Sequence, residues 1–569
     1  MSNLKWWQKA VFYQIYPRSF ADGNGDGIGD FIGMIEKLDY LADLGINAIW
    51  LSPHFPSPNW DWGYDVFDYN DVAPEYGTLD DFRMFLYEAH ARDIRVILDL
   101  VLNHTSDEHA WFIESKSSRD NPKADWYMWV DEPNNWQSCF GGEAWTYCPE
   151  RNQYYYHYFM KQQPDLNWHN PEVKKAMWDA VRFWLDMGVD GFRLDAIGTI
   201  YEDPNRTPHT IPMTLAELNR AADLAETPQE KKRVAELWYN MFHHQWGQDG
   251  LHKLMKELRC VIDEYDDRLL IGEDDNPEFM GNGCDELHLV FNFPLMRIDA
   301  PLTPTWIRNN QKKRLSALKK ISAKVWPCNT LGNHDTSRVY TRYADGMHDA
   351  ERARLSIALM LTLKGTPFLY NGEEIGMTDY LITDPAQLRD TVATWYYNSQ
   401  VKDLGVQHAE AAQRSAILTR DKNRTPMQWS NQPNGGFSPA EAQTWLPVNP
   451  NYADGVNVKD QQNDANSIFN FYRRLLDIRK STPALVEGGY QPLHEKSKDY
   501  FAFLRTIKLG SPNVLVVLNF SAEPQLISFP EVSQHALQTI FSNTNRGLGE
   551  ESPAELRVDA FEIYIGELL

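Results

Sequence analysis

Apolar residues along this chain fall into short runs separated by stretches of helical period. Residues 10–16 (AVFYQIY) read as a strand, and 31–44 as a helix with Met34, Ile35, Leu38, Leu41 and Leu44 on one face. Ala48–Leu51 (AIWL) is a second strand, 80–92 a second helix and 95–100 (RVILDL) a third strand. Such alternation predicts a parallel sheet with right-handed crossovers. The pattern pauses over about 105–170, an irregular and aromatic segment, and resumes with a helix at Pro171–Met187 and a strand at 191–194. Further strands at Leu269–Gly272, 289–293, 328–331 and 367–370 follow, with helices near 232–263, 350–364 and 467–479. About eight βα units result, which fits a (β/α)8 TIM barrel.

Two insertions interrupt the barrel. The first, 105–170, follows the third strand and is expected to be a small domain of its own. The second, about 374–465, follows the eighth strand; it is rich in Asn, Gln, Pro and Asp, loop-like in texture but too long for a simple loop. The barrel would then comprise 1–104 and 171–485. From about residue 486 the texture changes to short strands (FAFLRTI, NVLVVLNF, FEIYIG) between turn residues, which predicts a C-terminal all-β sandwich domain over 486–569.

Composition narrows the partners. The chain has 569 residues, enough for a barrel with accessory domains, and its net charge of −24 repels nucleic acid and anionic membrane. A neutral substrate is compatible with that field. The five cysteines (Cys139, Cys148, Cys260, Cys284, Cys328) show no CxxC spacing and read as ordinary thiols. No 18-residue apolar run and no signal-like leader occur, so the expected compartment is the cytoplasm.

In a barrel, chemistry collects at the C-terminal ends of strands. Asp99, Asn103 and His104 lie at or after the third strand, Arg193 and Asp195 at the end of the fourth, Glu273 after the fifth, and Asn333, His334 and Asp335 after the seventh. One such acid means little, since a helix cap or ion pair explains it. Three in order, each with a basic neighbour, suit glycoside cleavage, which needs two carboxyl groups across the scissile bond. Arg193 stands two residues before Asp195 on a strand, so both should share a face; its charge is expected to hold Asp195 ionised. Glu273 would have to start protonated, as a shielded, negatively charged site favours.

A separate loop, Asp22-Gly-Asn24-Gly-Asp26-Gly-Ile28-Gly-Asp30, carries oxygen ligands at alternating positions, as an EF-hand loop does. It departs from an EF-hand in following a strand and in having Gly33 at the twelfth position. Twenty Trp are present. Trp126, Trp129, Trp136 and Trp145, with Tyr154, Tyr155, Tyr156 and Tyr158, crowd the first insertion; for any one of them core packing is favoured over sugar stacking.

These strand-end segments, in this order and spacing, resemble the conserved regions of the α-amylase family of glycoside hydrolases (family thirteen), over essentially the whole chain. Asp61-Trp-Gly-Tyr64-Asp65, Gln163-Pro-Asp-Leu-Asn-Trp168 and Arg424-Thr-Pro-Met-Gln-Trp429 resemble its α-glucosidase, oligo-1,6-glucosidase and trehalose synthase branch. The resemblance implies Asp195 as nucleophile, Glu273 as general acid/base and Asp335 as transition-state stabiliser. It implies that His104, Arg193 and His334 line the subsite of the attacked glucose, with Tyr64 stacking on it and Phe159 beside it. Asp61 and Arg424 resemble the pair that closes the non-reducing end, the physical basis for exo-action. Asp65 and Asp99 are expected to be structural.

By the same resemblance, Asp22, Asn24, Asp26, the Ile28 carbonyl and Asp30 hold a structural Ca2+, with Mg2+ as the alternative. Ala196, after the nucleophile, goes with α-1,4 rather than α-1,6 bonds in related enzymes. The implied partners are small α-glucoside oligosaccharides, and transglucosylation is expected beside hydrolysis. Residues 285–296 resemble trehalose synthases equally well, so a maltose glucosylmutase is the chief rival. The Arg-Leu-Asp-Arg-Asp segment usual in sucrose isomerases is not found. Transporter heavy chains share the fold, but they carry a membrane span and often lack part of the carboxylate set.

Overall fold

The computed structural model of the protein describes residues 4–298, 300–507 and 511–569. Eight strands form one parallel sheet: β1 (Phe12–Ile15), β2 (Ala48–Leu51), β3 (Arg95–Val101), β4 (Gly191–Asp195), β5 (Leu269–Gly272), β6 (Leu289–Val290), β7 (Cys328–Thr330) and β8 (Thr366–Tyr370). Their order is β7-β8-β1-β2-β3-β4-β5-β6, the order of a barrel, with every ladder parallel. The strands are buried on both faces, as parallel strands between helices are. The backbone ladder stops between β6 and β7, where side-chain amides span the seam: Asn292 donates to Asn329 at 3.2 Å and to Asn310 at 2.9 Å. β6 is shorter than the pattern predicts because the chain turns at Pro294, which has no N–H for a ladder, into the 3-10 turn Phe293–Leu295.

Two predicted helices are each a pair. The 31–44 stretch breaks at Lys37 into Phe31–Glu36 and Leu38–Leu44; Phe31, Met34, Leu38, Leu41 and Leu44 stay buried across the break, so the apolar period reads through it. The 232–263 stretch is Pro228–Phe242 and Leu251–Ile262, separated by Gly247 and Gly250 at φ 70° and 112°, the left-handed region that glycine enters without strain.

The first insertion holds a helix (Ala110–Ser117) and a three-stranded antiparallel sheet. Its core is aromatic: Trp136, Trp145, Tyr156 and Tyr158 are buried together. The second insertion is a larger departure. It contains two helices, Thr391–Lys402 and His408–Leu418, packed on each other. Their buried positions are Ala393, Tyr396, Ser399 and Gln400, then Ala411, Ser415 and Ala416. Small and polar residues at the buried positions leave no apolar stripe to read.

The C-terminal segment forms a six-stranded and a two-stranded antiparallel sheet over a shared core that includes Ala502, Val517, Ile527, Leu556 and Tyr564. All five cysteines are free thiols. Among the described residues no helix is long and apolar enough to cross a membrane.

Candidate active site

Strand register builds the centre of the site. On the β3–β4 ladder Asp99 stands opposite Arg193 and Val101 opposite Asp195. Arg193 and Asp195, two apart, share a face. One guanidinium nitrogen of Arg193 therefore reaches Oδ1 of both Asp99 and Asp195, each at 2.6 Å, while Nη2 meets Glu273 Oε1 at 2.8 Å. Glu273, directly after β5, also accepts the Ala196 N–H at 2.8 Å. Ala196 has φ 41° and ψ 44°. A left-handed conformation costs a residue with a side chain about 1–2 kcal/mol, and here it aims the backbone donor across the pocket at the second carboxyl.

Three carboxyls thus share one cation, in a dry setting. Burial pushes Asp195 up to about 7, against the opposing pull of Arg193. Arg193 pulls the Asp195 carboxyl toward its charged form as expected, and burial opposes that pull more strongly. Burial likewise raises Asp99 to about 6 and Glu273 to about 8, Arg193 opposing both, with Asp195 and Asp335 adding to the rise at Glu273.

Asp335 behaves oppositely. It meets Arg424 Nη2 at 2.6 Å, His334 Nε2 at 3.2 Å and Arg420 Nη1 at 3.6 Å. Burial works against its charge, yet these neighbours hold it well below the ordinary carboxylate range. His334 is fixed between the Gln14 amide (2.7 Å from Nδ1) and the Tyr64 hydroxyl (2.6 Å from Nε2).

A cavity of about 330 Å³ opens on this cluster, lined by Asp61, Tyr64, His104, Phe159, Asp195, Ala196, Glu273 and Asp335 among others. Arg193, His334 and Arg424 do not line it. All three are buried behind the first layer, where the two arginines charge, and His334 orients, the residues that do.

The expected Asp61–Arg424 pair is not formed. Asp61 is bound by Arg420, Nη2 to Oδ1 at 2.8 Å, while Arg424 turns to Asp335 and to the His334 carbonyl. Arg420 also binds Asp390 at 2.8 Å, so it ties the second insertion to the β2 loop. Both arginines lie in one run, Arg420-Asp-Lys-Asn-Arg424, and spacing alone does not say which faces the pocket. Reading from sequence also missed Gln163, whose amide lies 3.3 Å from Asp61 and 3.0 Å from His104, and Phe140, Asp390, Val392 and Leu418 of the pocket wall. Those wall residues sit on the insertions, where no strand end marks them.

Asp65 and Asp99 do order the strand ends. Asp65 accepts from Ser57 Oγ, Trp60 N and Asp61 N at 2.8–3.0 Å. Asp99 accepts from Trp50 and Tyr64 besides Arg193.

The loop at 22–30 is closed by its own backbone. Asp22 accepts from Gly25 and Gly27, Asn24 from Asp26, Asp26 from Ile28, and Asp30 from Gly23, Asn24 and Gly33. Among the described residues no group of three or more His, Cys, Asp or Glu side chains is placed to hold a metal ion. The donor set still fits a hard cation in kind at Asp22, Asn24 and Asp26, whose carboxylate and amide oxygens keep further lone pairs, whereas both oxygens of Asp30 are occupied by the Gly23, Asn24 and Gly33 N–H groups.

Residues 14–488 match the family described as alpha amylase, catalytic domain. The chain is 37% identical over 580 residues to an oligo-1,6-glucosidase of Parageobacillus thermoglucosidasius, covering 98% of each. It is 34% identical over 595 residues to an alpha-glucosidase of Pediococcus pentosaceus, covering 100% of each. Among solved structures, a trehalulose synthase from Pseudomonas mesoacidophila matches with a TM-score of 0.86 at 35% identity, over 100% of both chains. Parallel barrel, strand-end carboxyls and relatives agree: the chain belongs to the α-amylase family of glycoside hydrolases.

Proposed function

We propose that the protein is a retaining, exo-acting α-glucosidase that releases terminal α-linked glucose from short oligosaccharides, with α-1,4 bonds preferred and transglucosylation as a side reaction. The observation that carries this reading is the Asp61–Arg420 ion pair, which walls the pocket beside the carboxyl cluster. A pocket closed at that end would take one terminal glucose and admit no sugar beyond it. Glu273 protonates the leaving oxygen as Asp195 attacks the anomeric carbon. Water, deprotonated by Glu273, then opens the glucosyl ester, and the double displacement returns the α-anomer. Asp335 stays anionic and accepts sugar hydroxyls. The small Ala196 side chain, beside Glu273 on the leaving-group side, supports the α-1,4 preference.

Incubation with maltose, isomaltose, sucrose and trehalose tests the reading. Glucose as the main product from maltose, released as the α-anomer, is the expected result. Trehalose made from maltose would replace it with a glucosylmutase. A second reading is favoured by the solved sucrose-converting neighbours, among them an isomaltulose synthase in complex with its natural substrate sucrose; an isomerised disaccharide from sucrose would select it.

The reaction needs Asp195 ionised and Glu273 protonated. With these raised to about 7 and about 8, both limbs of the kcat/KM–pH profile are expected above the usual carboxylate range, giving a narrow bell centred between pH 7 and 8. Activity should fall as pH drops through the first value, because Asp195 gains a proton, and as it rises through the second, because Glu273 loses one. A plateau reaching down to pH 5 would contradict this.

For the loop at 22–30 we propose a structural Ca2+ held by Asp22, Asn24, Asp26, the Ile28 carbonyl and Asp30. The ion would clamp the first βα loop and take no part in the chemistry. Saturating Ca2+ is expected to raise Tm by about 2–5 °C, and Asp22→Ala to remove that rise; an equal rise in the variant would place the ion elsewhere.

A further inference from the structure

A second cavity lies at the other end of the barrel. It measures about 480 Å³, against about 330 Å³ for the pocket on the carboxyl cluster. Three of its lining residues, Arg268, His288 and Trp326, stand one or two positions before β5, β6 and β7. It therefore faces the N-terminal ends of the strands, away from the ends that carry the acids. The start of the chain supplies a further wall through Lys5 and Trp7.

The charge in this cavity runs against the rest of the chain. The net charge is −24, yet four cations (Lys5, Arg259, Arg268, Lys324) and only two carboxylates (Asp263, Asp267) line it. Both carboxylates are taken: Asp263 accepts from Arg259 Nε at 2.8 Å, and Asp267 from Lys5 Nζ at 2.6 Å. Arg268 and Lys324 are left over. Arg268 comes no nearer than 3.7 Å to Asp190, a carboxylate that Arg95 and His90 already hold at 2.7 Å, and its buried Nε has no partner among the described residues. The Lys324 ammonium meets only the Cys284 sulfur among the described residues, at 3.4 Å.

His288 adds a neutral donor. Its Nδ1 accepts the Leu270 N–H at 3.0 Å, which leaves the ring proton on Nε2. Burial, with the charges of Arg259 and Lys5, holds this ring down at about 3, so it stays uncharged. Trp7 and Trp326, both buried, give the cavity its apolar surface.

We propose that this cavity binds a small phosphate monoester, with the phosphate on Arg268, Lys324 and the His288 Nε2–H, and the organic part against Trp7 and Trp326. Two uncompensated cations match a group that carries about −1.5 to −2 charge at pH 7. A guanidinium fork, an ammonium and an imidazole N–H supply donors for its terminal oxygens. A carboxylate would leave one of the two cations unbalanced, and a neutral sugar would leave both. The site is separate from the carboxyl cluster and stands whatever glycoside that cluster cleaves.

Titration calorimetry with phenyl phosphate tests the proposal, at low ionic strength because salt screens such contacts. Saturation at one equivalent per chain is expected. Inorganic phosphate, which lacks the part that covers the tryptophans, should bind at least about threefold more weakly. Lys324→Gln, a change to an exposed side chain, is expected to raise Kd at least about fivefold, and the Lys324→Gln, Arg268→Gln double variant at least about twentyfold. An unchanged Kd in Lys324→Gln puts the ligand elsewhere and overturns the proposal. So does inorganic phosphate binding as tightly as the ester. The lack of any saturable heat up to about 10 mM phenyl phosphate overturns it outright.

Discussion

Asp195→Asn is expected to lower kcat/KM for maltose by at least about four orders of magnitude while raising thermal stability. The first effect follows from the proposed chemistry. A neutral amide is a poor nucleophile toward an anomeric carbon and cannot balance the cationic charge that develops there. The second follows from the electrostatics. Burial pushes the Asp195 carboxyl up to about 7, so above that pH the fold carries a charge that it disfavours. A raised carboxyl is destabilising where it is ionised in the folded state, above about pH 7, and costs nothing below the unfolded value near 4. The Asn side chain keeps an acceptor for Arg193 and removes the charge. Its Tm advantage should therefore be largest at pH 8 and vanish below pH 4, a stability-for-activity exchange of the kind active sites show. Calorimetry across that range checks the sign. An Asn variant less stable than wild type at pH 8 would mean that the Arg193 pairing outweighs desolvation, and full activity in the variant would remove Asp195 from the proposed role.

Arg420→Met is expected to be the most damaging single change outside the carboxyls. Arg420 is buried against Asp61 and Asp390 and lies near Asp335. Removing it leaves Asp61 and Asp390 inside the protein without their cation, and breaking a buried pair from one side costs about 3–5 kcal/mol. The pocket wall would loosen as well, so kcat/KM should fall at least about a hundredfold. Arg420→Lys is expected to recover part of the stability and little of the activity, because an ammonium cannot bridge two carboxylates as the planar fork does. A double-mutant cycle with Asp61→Asn locates the interaction: the coupling of position 61 with 420 should exceed its coupling with 424. The reverse order would restore the pairing expected from sequence.

That pairing shows where sequence reading reaches its limit. The parallel strands were legible almost residue by residue, because a strand buried on both faces is a continuous apolar run and little else looks like one. The acids at their C-terminal ends were legible for the same reason: strand ends lead into the top of a barrel whatever the loops do. Arg193 and Asp195 needed only the period of two to share a face. Arg420 against Arg424 was different. Both stand in an irregular segment after β8, four residues apart in a single-turn 3-10 stretch, and only the packed loop decides which guanidinium turns to Asp61 and which to Asp335.

The helical pair of the second insertion was missed because its buried positions are mostly Ala, Ser and Gln. Val392 and Leu418 consequently carried no signal, although they form a pocket wall. The effect of burial on Asp195 was also invisible, since charge partners can be read from spacing but desolvation cannot.

By itself, then, the sequence determined the barrel, its two insertions, the C-terminal sheets and the carboxyls offered at the strand ends, because all of these follow from short-range periodicity and from strand direction. The tertiary structure alone decided which arginine seals the pocket, how far burial outweighs Arg193 at Asp195, and which residues of the insertions wall the pocket. Each of these depends on segments distant in the chain that share one small, dry volume, and local pattern carries no record of that meeting.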